Sequence, residues 1–478
     1  MTTFLLLLFS CVGVTAHTQA ADTPSADATD SEVQGPNFVV IFCDDLGYGD
    51  LSCYGHPTIQ TPNLDQMAGQ GMRATQFYVA ASVCTPSRAA LMTGRYPIRT
   101  GMCGKRRVLF PNSVGGLPAS ETTIAEMLRS TGYQTSMVGK WHLGHRAEYL
   151  PTEHGFDRYF GIPYSNDMDR VPTDDPNRKG RKGMMDPRYT EYNVPLLEGS
   201  TAKGCREVER PTVQTTLTKR YTQRAIDEIV RMKDDRFFLY LAHSLPHVPL
   251  FRSDDFVGRS AAGIYGDVIE EIDHGVGRIL QTLHDEGLAE NTLVVFTSDN
   301  GPWLVFESHG GSSGPLRNGK GTTFEGGMRV PGIFWMPGTI QPGRIDSGLS
   351  STLDLLPTFA AMAGATPPET KLDGYDLSDW LKGDQPSARK EMFYYRDTRL
   401  MAVRSGDHKA HLITQDSYVR GSGTATPHDP PLIFDLSIDL RERNDIAAKR
   451  SDLVQHFAKL REHHESAMQR PESQLDRK

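Results

Sequence analysis

Two unbroken apolar runs, each stopping abruptly on acids, constrain this chain more than any other feature. Phe38-Val39-Val40-Ile41-Phe42-Cys43 ends at Asp44-Asp45, and Leu293-Val294-Val295-Phe296-Thr297 ends at Ser298-Asp299-Asn300-Gly301. A strand with one wet face alternates apolar and polar residues, whereas a continuous run belongs to a strand covered on both faces, as in a parallel sheet between helical layers. Phe237 to Ala242 is a third such run and leads to His243; a fourth strand is expected near Thr135 to Val138 and leads to Gly139-Lys140-Trp141-His142. Helical spacing over 121–131, 221–232 and 264–286 alternates with these strands. The pattern predicts a doubly wound, mostly parallel α/β sheet whose ligand site lies outside the carboxyl ends of the strands.

After Trp380-Leu381-Lys382-Gly383 the texture changes. Short strand-like runs at Met392 to Tyr395, Leu400 to Arg404, Lys409 to Ile413 and Leu432 to Asp435 precede a charged helix from about Ser451, which predicts a smaller C-terminal α+β subdomain. The expected division is a leader over 1–21, a linker over 22–35, a catalytic domain over 36–384 and the small subdomain over 385–478. Phe4 to Ala16 is apolar and Thr18-Gln19-Ala20-Ala21 offers a cleavage site, so the chain is expected to be secreted or periplasmic, or of lysosomal type in a eukaryote. Cys11, after Leu8-Phe9-Ser10, lies too near the start for lipoprotein anchoring to be expected. No later stretch reaches the ~20 apolar residues that span a bilayer.

A net charge of −8 leaves no broad basic surface, so nucleic acid is not an expected partner and any anionic ligand must be held by locally placed cations. Arg178-Lys179-Gly180-Arg181-Lys182 is such a local cluster, read as a solvated loop with polyanion recruitment as the alternative. Of six cysteines, Cys11 belongs to the leader, Cys43 to a buried strand and Cys84 to a motif. Cys53, Cys103 and Cys205 are left with at most one bridge, and no glycosylation sequon occurs.

Cys84-Thr85-Pro86-Ser87-Arg88 to Thr93-Gly94 reads as a helix with Pro86 in its first turn and Gly94 at its stop. Cys84 then stands where unpaired N–H groups favour an anion, with Arg88 one turn up the same face. Asp44, Asp45, Asp299 and Asn300 offer hard oxygen donors at two strand ends, suited to Ca²⁺ and less to Mg²⁺. Lys140 and His142 alternate across Trp141, so both can face one pocket. His247 lies between prolines in Leu245-Pro246-His247-Val248-Pro249, with His243 as the alternative histidine. Glycines around Lys320, in Gly319-Lys320-Gly321 and Glu325-Gly326-Gly327, permit close approach.

The segment from Cys84 to Gly94 resembles the signature of the formylglycine-dependent sulfatases, members of the alkaline-phosphatase-like superfamily; the chain is most similar to the arylsulfatases. The other motifs agree with that family from about Asn37 to the end. The resemblance implies that a maturation enzyme oxidises Cys84 to formylglycine, whose hydrate attacks sulfur and forms a covalent sulfo-enzyme. It implies one Ca²⁺ held by Asp44, Asp45, Asp299, Asn300 and an oxygen at position 84. Arg88 would hold the aldehyde hydrate, Asp299 orient or deprotonate the attacking hydroxyl, and His142 deprotonate the second hydroxyl. Lys140, Ser165, His247 and Lys320 would bind sulfate, and His247 would protonate the leaving group. His411, in Lys409-Ala410-His411, is expected near the border of the site. The implied reaction converts a sulfate monoester, on a small molecule, glycan or lipid, to an alcohol or phenol and sulfate. A phosphomonoesterase or phosphonate hydrolase is the alternative enzyme, and a binding protein with unoxidised Cys84 the non-enzymatic one.

Overall fold

Strand β1 (Asn37–Cys43) shows why its run is unbroken. Phe38, Val40 and Phe42 enter one hydrophobic core while Val39, Ile41 and Cys43 enter the core on the opposite face. The same split holds for β7 (Phe237–Ala242) and β8 (Thr292–Ser298). Each fully buried aliphatic or aromatic side chain contributes ~1.5–3 kcal/mol, so a charge introduced anywhere along these strands would have no wet face to turn to.

The computed structural model describes residues 35–478 except 173, 176–179, 187–191 and 418–423, together with Leu8, Ser10 and Gly13. Cys11 and most of the leader, most of the linker, and Arg178-Lys179 lie outside the described residues.

The remaining strands of the large sheet are β2 (Met72–Tyr78), β3 (Gln134–Gly139), β4 (Arg158–Gly161), β5 (Leu196–Ser200), β6 (Gly204–Glu209), β9 (Arg329–Trp335), β10 (Arg344–Asp346) and β11 (Ser350–Ser351). The sheet is 11-stranded, in the order β10-β2-β9-β8-β1-β7-β3-β4-β5-β6, with β11 paired to β2. The four strands expected from apolar runs are neighbours, β8-β1-β7-β3, and are mutually parallel. Antiparallel strands extend both sides. Pro331 in β9 lacks an N–H to donate; it falls opposite a bulge in β2 and beyond the residues paired with β8, where none is required.

Register brings the motifs level. Cys43 pairs with Ser298, so Asp44 and Asp299 follow side by side, and Gly139 pairs with Ala242, so Lys140 and His243 do likewise. Gly139 has φ 112°, and a Cβ there would lie 1.8 Å from the Ala242 carbonyl oxygen. Only glycine lets β3 end so close to β7.

The small antiparallel sheet, in order β12 (Glu391–Arg396), β13 (Arg399–Ser405), β14 (His408–Thr414), β15 (Thr426–Asp435), is followed by the helix Ser451–Ser466. A fully buried ion network ties it to the loop that carries Lys320. Lys409 Nζ lies 2.9 Å from Glu325 and 3.0 Å from Glu442, and His411 Nε2 lies 2.7 Å from Glu442. Glu442 also accepts the backbone N–H of Glu325 at 2.8 Å, and its carbonyl accepts from Arg317 at 2.6 Å. Residues 35–478 cluster as one compact unit.

Candidate active site

Asp44 and Asp45 leave β1 at the level where Asp299 and Asn300 leave β8. Asp45 adopts φ 68°, a left-handed conformation that aspartate tolerates better than most residues, and its N–H donates to Asp299 Oδ1 at 3.1 Å. The carboxylates of Asp44, Asp45 and Asp299 and the sulfur of Cys84 converge within 4.8 Å of one another. Asn300 donates its amide N–H to Asp45 at 2.7 Å, while its buried Oδ1 has no partner. Three carboxylates and an unpartnered amide oxygen form a donor set of the kind that holds a hard dication, and these residues fit the calcium site expected from sequence.

Cys84 is the first residue of the helix Cys84–Thr93, which ends at Gly94 in the left-handed region, φ 65°. The whole helix is buried, and no side chain caps its N-terminus. Cys84 Sγ lies 3.3 Å from Asp44 Oδ1 and 3.6 Å from Lys320 Nζ. Burial, and next the charge of Asp44, pushes this thiol well above its usual range, which disfavours a thiolate nucleophile.

Each carboxylate meets a cation. Arg88, fully buried, donates from Nε and a terminal nitrogen to Asp299 at 3.1 and 2.8 Å, donates to the Lys140 carbonyl at 3.0 Å, and lies 3.5 Å from Asp44. Lys140 Nζ is 2.5 Å from Asp44 and donates to Ser165 Oγ at 3.1 Å. Lys320 Nζ is 2.8 Å from Asp45 Oδ2 and sits 4.3 Å over the Trp303 ring. Burial resists ionisation of Asp44, yet Lys140, with Arg88 and Lys320 behind it, holds its carboxyl well below the usual range. Burial and then the neighbouring Asp44 push Asp299 up to about 7. Burial likewise raises Asp45, against the pull of Lys320. The acids compete for positive charge, which a dication would supply.

The two histidines have opposite tautomers, fixed by carbonyls that can only accept. His142 Nε2 faces the Leu109 carbonyl at 2.8 Å and so carries the proton; its buried Nδ1 is an unpartnered base. His247 Nδ1 faces the Val248 carbonyl at 2.5 Å, which leaves Nε2, 3.7 Å from Asp45, directed at the site. Burial first, then Lys140 for His142 and Lys320 for His247, holds both rings well below the usual imidazole range.

A cavity of about 220 Å³ opens over these groups and is lined by Cys84, His142, Ser165, His247 and Lys320. The residues expected to hold the metal, the sulfate and the reacting groups therefore lie in one cluster, in the cavity wall or bonded to groups beneath it. His243 does not line the cavity; it is buried against Tyr221. His411 is also absent from the lining: it stacks on Phe324 and binds Glu442, because β14 runs behind the Lys320 loop. The expected border position is corrected accordingly. Cys43, Cys53, Cys84, Cys103 and Cys205 are all free. The wall also contains Arg107, Val108, Phe110, Asp167, Met168 and Trp303, which sequence reading did not select. They come from loops without a repeating spacing or motif; only the proximity of Asp167 to Ser165 could have pointed to any of them.

Comparison with known proteins matches this geometry. A family model described as Sulfatase matches residues 36–365, and one described as the C-terminal region of aryl-sulfatase matches residues 387–478. Arylsulfatase A of Homo sapiens is 46% identical over 431 residues, covering 86% of this chain and 83% of that protein. N-acetylgalactosamine-6-sulfatase of Canis lupus familiaris is 38% identical, covering 99% and 91%. Among solved structures, the PsFucS1 sulfatase from Pseudoalteromonas sp. superposes with a TM-score of 0.82 at 28% identity, covering 91% of each chain.

Proposed function

This chain belongs to the sulfatase family, and from that premise we propose how its residues divide the work of cleaving a sulfate ester. It is a sulfuric ester hydrolase. The observation that carries the assignment of roles is the convergence of Cys84, three carboxylates, three cations and two oppositely tautomeric histidines on one cavity.

Oxidised to formylglycine and hydrated, position 84 supplies two hydroxyls on one carbon, one to attack sulfur and one to release sulfate. Asp44, Asp45, Asp299 and Asn300 would hold a calcium ion, which when bound would supply positive charge to polarise a sulfate ester. Lys140, Ser165 and Lys320 line the place for those oxygens, so negative charge gathering on them meets preorganised donors. Arg88 fixes Asp299 and the Lys140 carbonyl, holding the acid that orients the attacking hydroxyl. The resting His247 carries its proton on Nδ1, so Nε2 must first take up a proton from solvent, favoured by the negative charge of the bound ester; as the sulfur–oxygen bond to the leaving group breaks, Nε2 gives that proton to the departing oxygen. His142 Nδ1 takes the proton from the second hydroxyl when sulfate leaves. These roles require a maturation enzyme, and the apolar leader supports export. Residues 36–384 hold the reacting groups, while 385–478 brace the Lys320 loop.

Mass spectrometry of the peptide spanning Cys84, from cells that contain a formylglycine-generating enzyme, tests the first step, and sulfate release from an aryl sulfate tests the rest. An aldehyde in place of the thiol, with turnover that disappears in Cys84→Ala, is expected. An intact alkylatable thiol in an active preparation, or faster cleavage of the matching aryl phosphate, would overturn the proposal.

A further inference from the structure

Asp167 is the only carboxylate among the residues lining the cavity, and none of the roles above uses it. It follows Ser165, which faces Lys140, by two positions, while the intervening Asn166 turns away to donate to the Pro249 carbonyl at 3.1 Å. Asp167 Oδ1 is shielded from solvent and has no hydrogen-bond partner among the described residues, while Lys140, Lys320 and the Ser165 hydroxyl stabilise the carboxylate against its burial. A buried acceptor without a donor is destabilising, and a ligand that brings a donor recovers that cost. Val108, Phe110, Met168 and Trp303 give the surrounding wall apolar faces that fit a ring, with Arg107 and Lys320 as cations in the same lining. A carboxylate in such a wall accepts a hydroxyl hydrogen and repels a second anion.

We propose that Asp167 is a specificity-determining residue that reads a free hydroxyl on the carbon next to the sulfated oxygen of the leaving group. Substrates with that vicinal hydroxyl bind with its hydrogen on Asp167. Those in which it is methylated, or replaced by another anion, leave the acceptor unpaired or face repulsion. The inference rests on the sulfate-ester chemistry proposed above and extends it to the class of alcohol or phenol released.

The test uses two esters with similar leaving groups, catechol monosulfate and 2-methoxyphenyl sulfate, and follows released sulfate with the matured enzyme. The ratio of their kcat/KM values is expected to favour catechol monosulfate about tenfold in the parent, and to fall towards one in Asp167→Ala. Asp167→Asn, which keeps an acceptor oxygen and the size of the side chain, is expected to retain part of the preference. A parent that hydrolyses both esters without preference would overturn the inference, as would a preference that Asp167→Ala leaves intact or a loss shared equally by both esters. A matured parent that releases sulfate from neither ester would instead sink the underlying sulfatase chemistry, so the two failures are distinguishable.

Discussion

Replacing Lys409 by Met removes the single cation that lies between Glu325 and Glu442, 2.9 and 3.0 Å away, with all three side chains fully buried. Methionine fills the stem of the lysine, so little volume is lost and the effect is electrostatic. Two carboxylates are left without their shared partner in an interior that cannot hydrate them. Breaking a buried pair in this way costs ~3–5 kcal/mol. With a urea dependence of ~3 kcal/mol per molar, the unfolding midpoint should drop by more than ~1 M, read by tryptophan fluorescence. Adding Glu442→Gln removes one of the stranded charges and should restore part of the loss. The cost should also depend on pH with a definite sign. Although burial opposes it, Lys409 with Arg404 and Arg329 holds the Glu325 carboxyl below its usual range. Its contribution is therefore present above the ordinary glutamate pKa and is lost as pH falls through the folded value, so variant and parent should converge in acid. Because Glu442 anchors both Arg317 and the Glu325 backbone, the Lys320 loop should loosen as well, and an error of ~1 Å there lowers turnover by up to ~100-fold. A variant within ~1 kcal/mol of the parent at neutral pH would refute the reasoning.

Three further outcomes follow from particular contacts. Gly139→Ala places a methyl against the Ala242 carbonyl at a backbone angle that disfavours side chains, so the variant is expected to lose folded, soluble protein, seen by size-exclusion chromatography; a soluble, active G139A would contradict the close approach of β3 and β7. Exhaustive chelation should lower the melting temperature, calcium should restore it, and Asn300→Leu should blunt the response, because it deletes the unpartnered amide oxygen; an unchanged calcium response in N300L would remove Asn300 from the donor set. His464 stacks on Phe393 with ring centroids 3.6 Å apart, and burial, then Arg99, holds it down to about 3. The unfolded chain takes a proton below about pH 6.5 that this fold refuses, so stability falls on acidification by ~1.4 kcal/mol per pH unit for this residue; His464→Phe should shed that slope in pH-dependent urea titrations, and an unaltered slope would refute the account.

The central sheet and the candidate site residues at its strand ends were legible in the sequence for one physical reason. Doubly covered strands must be apolar along their whole length, so the first polar residues after them mark the carboxyl edge. Asp44, Asp299, Lys140 and His243 all follow that rule. The antiparallel margins were not legible, because strands such as β5 and β6 are half exposed and carry charges, and β9 contains Pro331 at a tolerated gap. The rule also could not separate His243 from His247. What separates them is the path after β7, where His243 N donates to the Phe42 carbonyl and continues the sheet while His247 returns over the site. The specificity wall was least legible. Phe110, Asp167 and Trp303 are brought together only by tertiary folding, and nothing in their local spacing distinguishes them from other loop residues.

The burial of the helix Cys84–Thr93 sets a clock. Cys84 is 2% exposed, and Thr85 through Thr93 are buried with it in a helix that the rest of the chain covers. The maturation enzyme proposed above would have access to this cysteine only while the chain is still open. The small sheet that braces the Lys320 loop is made last, with Glu442 roughly 360 residues downstream, which at a synthesis rate of about 5–20 residues per second leaves ~20–70 s before the site can close. The maturation proposed above would thus compete with folding from the moment Cys84 emerges, and the yield of active protein would be decided by rates before it is decided by stability.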